Sequence, residues 1–551
     1  MLSRLVIGTR GSDLALTQSR AVASALEAAW PGLTVELQVM VTRGDRELDR
    51  PLPELGGKGL FTRELEEALR AGTIDLAVHS LKDLPVEDPP GLRLGAVTRR
   101  SSRHDVLYSL QGWTLETLPP RAVVGTSSPR RAAQLAVIRP DVQAMTLRGN
   151  VPTRLRRIEE GQYDAVLLAE AGLARLDLLE PARSVVLPLD VVVPAPGQGA
   201  LVVQCRADDP DTAALLAPLH DPVTALETRV ERAFLRALGG GCAVPVGAAC
   251  EAADSRLRLR VFRDCWRVAV DGPVDRPEEL VARAVEVLRS REAGTLAGRR
   301  VVITRTRDQA GVFREMLEGR GAVVLELPLI EIEFREDAVP DPEGTDLLVF
   351  TSANGVRAFA ALLTRQGQDP DGWRGLPVAV IGPGTARTAA ALGFRVEMTA
   401  EQSVAEGFLD TLRSRMAGLC NKTLLVVQGE QARDTLCEGL RRAGARVIRV
   451  TPYRTCCRAA ISATEAAMLE AFRPQAVAFT SASTARAYAA AVSEPLRNRL
   501  ETGGVRYVSI GPQTTLAAEA AALPIAGTAA RHDLEGLTRL LEELLGNPGN
   551  G

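Results

Sequence analysis

The chain has 551 residues, 46% apolar and 24% charged, and its 66 basic and 68 acidic residues leave a net charge of −2. At roughly 150 residues per domain, that length implies about three to five domains, each able to bury a core without disulfides or metals. The near-zero charge excludes a general polyanion binder. The eight cysteines form no C-x-x-C pair and the four histidines are scattered, which points away from structural zinc and towards reduced thiols in the cytoplasm.

Residues 1–8 run straight into strand-like sequence, with no signal peptide and no long uncharged span. Residues 33–41 have strand character. Residues 60–70 read as an amphipathic helix with Leu60, Phe61, Leu65, Ala68 and Leu69 on one side. Gly72 is placed to end that helix, and a short apolar strand follows over 74–78. Alternation of this kind predicts α/β architecture with mostly parallel sheets.

Near residue 250 the texture changes. Leu257, Leu259 and Val261 alternate with Arg256, Arg258 and Arg260, the pattern of a half-exposed strand. A turn at Arg263-Asp264 leads to a strand over 266–270. Asp275, with Glu278 three residues on, predicts the start of a helix whose buried side is Leu280, Val281, Ala284, Val285 and Leu288. The polar, glycine-containing stretch 291–298 reads as a linker, centred on 293–298.

Beyond it come a strand (301–304), a helix (309–320) and a strand (322–327). The C-terminal half contains an internal repeat. Phe350-Thr351-Ser352-Ala353 returns as Phe479-Thr480-Ser481-Ala482, and Ile381-Gly382-Pro383 as Ile510-Gly511-Pro512, both at an offset of 129 residues. Two similar α/β lobes are expected, with these turns at strand ends facing a cleft, where open α/β sheets bind ligands.

Several segments carry chemistry. From Arg121 to Arg157 there are eight arginines and a single acidic residue, Asp141. Ser128 can cap a helix opening at Pro129, so hydroxyls, free helix amides and guanidinium forks converge at one helix end. That is a cradle for carboxylates or phosphates, or else a solvated basic face. The stretch lacks aromatics for stacking on bases and contains no nucleic-acid module. Gly57-Lys58 is followed by Gly59, so it is not a phosphate-binding P-loop.

Only three of the 66 basic residues are lysines. One, Lys82, stands with Asp83 just past the 74–78 strand, where Asp83 either pairs with Lys82 or stabilises developing positive charge. Cys242, after Gly239-Gly240-Gly241, is either an inert small hydrophobe or a reactive thiolate. With no histidine nearby, covalent attachment suits it better than hydrolysis.

Taken together, Thr9-Arg10-Gly11-Ser12, Leu55-Gly56-Gly57-Lys58-Gly59-Leu60-Phe61, His79-Ser80-Leu81-Lys82-Asp83-Leu84-Pro85, Gly125-Thr126-Ser127-Ser128-Pro129-Arg130-Arg131, Arg148-Gly149-Asn150-Val151, Pro194-Ala195-Pro196-Gly197-Gln198-Gly199-Ala200 and Gly240-Gly241-Cys242 resemble the hydroxymethylbilane synthase (porphobilinogen deaminase) family. The resemblance implies two periplasmic-binding-protein-like lobes, 1–98 plus 194–218 and 99–193, and a small α/β domain over 219–292. It implies a dipyrromethane cofactor joined to Cys242 by a thioether, and four porphobilinogen additions with loss of ammonia. Asp83 matches the family's catalytic carboxylate, with Lys82 beside it. Ser80, Thr126, Ser128, Arg130, Arg131, Arg154 and Gln198 match cofactor contacts. Arg10, Ser12, Arg148, Arg154 and Arg175 match substrate contacts, and Lys58 and Phe61 match the family's loop over the cleft.

The C-terminal half resembles uroporphyrinogen-III synthase. The resemblance rests on Val301-Val302-Ile303-Thr304-Arg305, the two repeated segments and Pro452-Tyr453-Arg454. It implies one lobe from 299–328 plus 453–548, a second from 329–452, and closure of hydroxymethylbilane with inversion of the terminal ring and loss of water. It implies no metal. Tyr453 matches the family tyrosine that helps the hydroxyl depart; Thr351, Ser352, Thr385, Ser481 and Thr514 are candidate binders. The expectation is a cytoplasmic, monomeric, bifunctional enzyme acting on porphobilinogen and hydroxymethylbilane, without nucleic acid or membrane. The competing expectations are a deaminase carrying a non-catalytic carboxylate-binding or docking module, and a two-lobed anion-binding protein.

Overall fold

A computed structural model describes residues 3–41, 62–87, 89–239, 244–400, 408, 420–432 and 434–546. Among the described residues, five sheets are built from α/β or antiparallel units, and a sixth is a two-stranded ribbon.

The first sheet has the order Thr34–Met40, Arg4–Arg10, Leu76–Ser80, Leu201–Arg206, Leu92–Val97. Its first three strands are parallel, and Leu201–Arg206 runs antiparallel to both neighbours. The second sheet repeats the plan. Gln143–Met145, Val123–Gly125 and Ala165–Ala169 are parallel, and Asp105–Tyr108 is antiparallel to its neighbours. In each sheet the antiparallel strand is the one reached directly from the other lobe. Two crossing segments therefore join the lobes, and the parallel strands end at the groove between them.

Glu231 fixes this crossing to the third unit. Its buried carboxylate accepts both Arg100 terminal N–H groups at 3.0 Å, the Gly197 amide at 2.7 Å and the Cys250 amide at 2.9 Å. The pairing is bidentate and its remaining lone pairs are satisfied, the condition under which a buried charge is tolerated.

The third unit is an antiparallel sheet of Val246–Ala253, Arg256–Arg263 and Trp266–Pro273 under helices Pro222–Ala237 and Pro277–Glu292. Leu257, Leu259 and Val261 enter its core as the alternation predicts. Asp254 and Ser255 both have positive φ, giving the two-residue hairpin whose twist suits adjoining strands. The second helix begins one residue later than expected. Its N-cap is Arg276, without a side-chain cap bond, and Pro277 takes the first helical position. A proline there lacks only an N–H that would have no partner anyway, so Asp275 is not needed as a cap.

The C-terminal half contains two parallel sheets. One has the order Val323–Glu326, Arg300–Ile303, Ala476–Phe479, Arg506–Ser509, Ile525–Thr528; the other has Val396–Thr399, Val378–Val380, Leu347–Phe350, Thr423–Val427, Arg446–Val450. An antiparallel ribbon, Ile330–Phe334 with Tyr453–Cys457, connects them. The repeat is structural. Phe350 and Phe479 end equivalent strands, Ser352 and Ser481 cap the helices that follow, and Pro383 and Pro512 open the next pair.

Candidate active sites

The strand Leu76–Ser80 passes into a single 3-10 turn, Leu81–Asp83. Leu81 is buried and its amide donates to the Ala200 carbonyl, which pins the turn to the crossing segment. Gly197 faces Leu81 at positive φ, and a Cβ there would come within 2.9 Å of the leucine. Held this way, the turn leaves the Asp83 carboxylate exposed. Lys82 Nζ donates to Gln198 Oε1 at 3.3 Å. Burial, reinforced by Arg131 and Arg130 and opposed by Asp83 and Asp105, brings the Lys82 ammonium down to about 8.

Gln198 is fully buried. Its amide nitrogen reaches the Arg103 carbonyl at 2.9 Å, the His104 carbonyl at 3.2 Å and Asp105 Oδ1 at 2.9 Å. It thus ties Lys82, from the first sheet, to Asp105, from the second. Asp105 is the centre of a buried cluster. Arg130 donates to Oδ2 at 2.7 Å, and Arg131 donates twice to Oδ1, at 3.0 and 2.7 Å. Burial would raise the Asp105 carboxyl; the two guanidiniums overcome it and hold the group well below the usual carboxylate range.

Arg130 also donates to the Val193 carbonyl and Arg131 to that of Leu167. The two forks expected to face a ligand are therefore turned inward in this structure. Sequence reasoning did not include Asp105. The signal was a lone acid heading the buried run Asp105-Val106-Leu107-Tyr108, because a buried carboxylate needs a cation.

Ser128 caps the helix Pro129–Ile138 and accepts from the Arg131 amide at 3.4 Å. Thr126 is buried and accepts from the Ser128 amide at 3.2 Å. In the same lobe, Arg154 leaves the helix Val151–Glu159, which Asn150 caps, and its Nε donates to the Gly149 carbonyl at 2.8 Å. Burial and then Arg131 push Arg154 down to about 10, while Asp83 opposes them, so Arg154 lies within electrostatic reach of Asp83. Arg175 donates to the Gly199 carbonyl at 2.7 Å and is brought to about 10 by burial.

Arg10 ends the first strand, and Ser12 caps the helix Asp13–Ala29. Ser80 accepts from Gln18 Nε2 at 3.2 Å. Arg148, half-buried, precedes the Asn150 cap. Lys58, Phe61 and Cys242 lie outside the described residues.

In the C-terminal half, Tyr453 opens the connecting ribbon and is buried, with its hydroxyl 2.8 Å from Ser352 Oγ. Burial pushes its phenol up, against the Ser352 hydrogen bond. Ser352 also caps Ala353–Arg365 through the Gly355 amide at 3.0 Å. Gly429 lets the ring sit there, since a Cβ would come within 3.0 Å of it.

Thr351 bonds the Val427 carbonyl at 3.3 Å, Thr385 is buried, and Ser481 forms a capping box with Thr484. Thr514 is buried. Its neighbour Thr515 makes the hydroxyl network, at 2.6 Å from both Ser509 and Thr528. Sequence reasoning also left out a pair of arginines on opposite lobes. Arg305 follows the strand Arg300–Ile303, and Arg357 lies on the helix Ala353–Arg365. Burial and then Arg357 push the Arg305 guanidinium down. The two guanidiniums therefore repel each other through space.

These features define a class: a two-lobed α/β protein with an exposed acid in a cationic groove and a small third domain, followed by a bilobal parallel α/β unit. Residues 5–214 match the porphobilinogen deaminase dipyromethane cofactor binding domain, 225–288 the porphobilinogen deaminase C-terminal domain, and 311–539 uroporphyrinogen-III synthase HemD.

Porphobilinogen deaminase of Roseiflexus sp. (strain RS-1) is 54% identical over 260 residues, covering 47% of this chain and 86% of that protein. That of Geobacillus kaustophilus is 43% identical over 304 residues, covering 54% of this chain and 98% of that protein. A solved uroporphyrinogen-III synthetase from Helicobacter pylori aligns at 20% identity with a TM-score of 0.33, over 45% of this chain and 99% of its own.

The chain belongs to the porphobilinogen deaminase family and carries a uroporphyrinogen-III synthase domain in the same polypeptide, which makes it a bifunctional enzyme of tetrapyrrole biosynthesis. Neither the docking-module nor the anion-binding alternative is favoured by these matches. Among the described residues, no helix is long and apolar enough to cross a membrane.

Proposed function

We propose that the N-terminal half joins four porphobilinogen molecules into hydroxymethylbilane on a dipyrromethane held through a thioether to Cys242, and that the C-terminal half closes the product to uroporphyrinogen III. The reading is carried by one observation. Asp83 is exposed at the end of a pinned turn, beside Lys82 and within electrostatic reach of Arg154. The donor set suits the group, because pyrroles bearing acetate and propionate arms call for several cations and few competing acids. Arg10, Arg148, Arg154, Arg175 and Lys82 would hold those arms, with Ser80, Thr126 and Ser128 beside them. When bound, the dipyrromethane supplies the nucleophilic pyrrole carbon from which the chain grows.

The protein's own residues do the rest. Asp83 accepts hydrogen bonds from pyrrole N–H groups and stabilises positive charge as ammonia leaves. Lys82, brought near neutrality, exchanges protons at the same place. The Asp105 cluster keeps the helix that opens at Pro129 fixed against the crossing segment, so Ser128 and the free amides point into the groove. In the second half Tyr453, protonated at neutral pH, gives its proton to the departing hydroxyl while Ser352 orients it. Arg305 and Arg357 receive carboxylate arms from opposite lobes.

The division into 1–98 plus 194–218, 99–193 and 219–292, and into 299–328 plus 453–548 and 329–452, is the domain scheme of this proposal. It is supported by the separate sheets and the two crossing segments. The working state is a cytoplasmic monomer.

Intact mass of wild type and Cys242→Ala, both produced with porphobilinogen available, tests the first half. A wild-type excess of two linked pyrroles that the variant lacks is expected; no excess would withdraw the thioether. Tyr453→Phe in the full chain tests the second half: turnover of porphobilinogen should persist while the product shifts from isomer III to isomer I. Unchanged isomer III would remove Tyr453 from the chemistry.

A further inference from the structure

The stretch expected to be a linker does not behave as one. Leu296 is fully buried in the core of the following lobe, in the cluster with Phe313, Leu317 and Leu541. Its amide donates to the Arg320 carbonyl at 2.9 Å, and the Gly298 amide to that of Gly321 at 3.0 Å. Thr295 donates to Glu542 at 2.5 Å, and Arg320 bonds Glu542 at 3.1 Å and Glu535 at 2.7 Å. Gly294 is in van der Waals conflict-free contact only because it lacks a Cβ, which would strike the Arg320 carbonyl.

The third unit itself also reaches across. Trp266 Nε1 donates to the Gly321 carbonyl at 3.0 Å. Arg291 lies 3.7 Å from Glu318, on the helix Arg307–Gly319, and donates to the Arg267 carbonyl at 2.7 Å. Arg267 in turn donates to the carbonyls of Asp190 at 3.2 Å and Val191 at 2.8 Å, in the segment leaving the second sheet. Glu318 has a second cation, Arg314, at 3.9 Å. One continuous set of contacts therefore runs from the segment at Asp190-Val191 through Arg267 and Arg291 to Glu318.

We infer that the two enzymes are docked rather than tethered: the three-stranded unit and the first lobe of the synthase half form a single rigid body, joined by the Arg267–Arg291–Glu318 seam and the embedded segment 294–299. The separation of the two clefts is then set by packing, not by the reach of a flexible chain. A free tether of this length would raise local concentration whatever its conformation, whereas a docked seam fixes one geometry.

Hydrogen exchange on the unmodified full chain is the first test. The amides of Leu296 and Gly298 should exchange as slowly as those of the adjoining strand Arg300–Ile303; exchange at free-peptide rates would overturn the inference. Gly294→Ala is the second test. Gly294 has an ordinary φ, so alanine in a free tether would be silent. At a docked seam it should raise exchange over 294–299 and 314–321, shift the Trp266 emission to the red and enlarge the radius of gyration in solution scattering. Trp266→Phe identifies the emission of that residue.

Gly319→Ala, where the added Cβ meets nothing within 4 Å, is the control and should leave all three readouts unchanged. If Gly294→Ala matches wild type in all three, the halves are tethered. If the variant does not fold, exchange on the unmodified chain decides alone.

Discussion

Replacing Asp105 by asparagine removes one charge and no volume. In the native protein that carboxylate accepts three guanidinium bonds, at 2.7, 3.0 and 2.7 Å, and one amide bond at 2.9 Å. Its side chain is fully buried, and those of Arg130 and Arg131 are 5% and 7% exposed. Asparagine can still accept at one oxygen, but its NH2 group opposes a guanidinium and two cations are left without a counter-charge. Breaking a buried pair in this way costs about 3–5 kcal/mol, a large part of the ~5–15 kcal/mol that holds a typical domain.

Urea unfolding followed at Trp113, which packs against the second sheet's core, should show that loss in the transition of this lobe. Its pH dependence has a definite sign. The folded carboxyl lies below its unfolded value, so the stabilisation is complete above pH ~4 and is lost as pH falls through the folded value. The difference between wild type and Asp105→Asn should therefore be constant near neutrality and shrink in acid. A loss under about 1 kcal/mol at pH 7, or a difference that grows in acid, would refute the account of the cluster.

Asp83→Asn should change stability by no more than ~0.5 kcal/mol, as expected of an exposed site, while lowering kcat by about 10²–10³-fold; a Tm shift without loss of turnover would contradict its role. Lys82 releases its proton at a lower pH when folded than when unfolded, so between about pH 8 and ~10.4 the unfolded chain binds the extra proton. The stability of wild type relative to Lys82→Met should accordingly rise with pH across that window in denaturant titrations. Gly429→Ala should press on the Tyr453 ring and lower the fraction of isomer III without altering porphobilinogen consumption, measured by product chromatography. Arg305→Met should raise the KM for hydroxymethylbilane by roughly tenfold, equivalent to losing about 1.4 kcal/mol, measured from initial rates of isomer III formation.

The sequence by itself determined the features that short-range physics controls. Alternating Leu257, Leu259 and Val261 could form only a one-sided strand, because side chains alternate across a sheet. Ser128 was recognisable as the place where a helix starts, because a hydroxyl satisfies amides in its own first turn. The 129-residue repeat announced two like lobes, and the ordered glycine, arginine and acid motifs carried the family.

Tertiary structure decided what depends on partners far apart in the chain. Arg130 and Arg131 read as ligand forks until Asp105, some 25 residues earlier, was placed between them. Arg305 and Arg357 gain meaning only once two lobes face each other. Thr515, not Thr514, joins the hydroxyl network, because the turn at Gly511 aims it at Ser509 and Thr528. The stretch 293–298 has a linker's composition, yet Leu296 is a core residue. Composition records how well a segment tolerates water, whereas burial depends on whether another surface, here the helix Arg307–Gly319 and the turn after it, arrives to cover it.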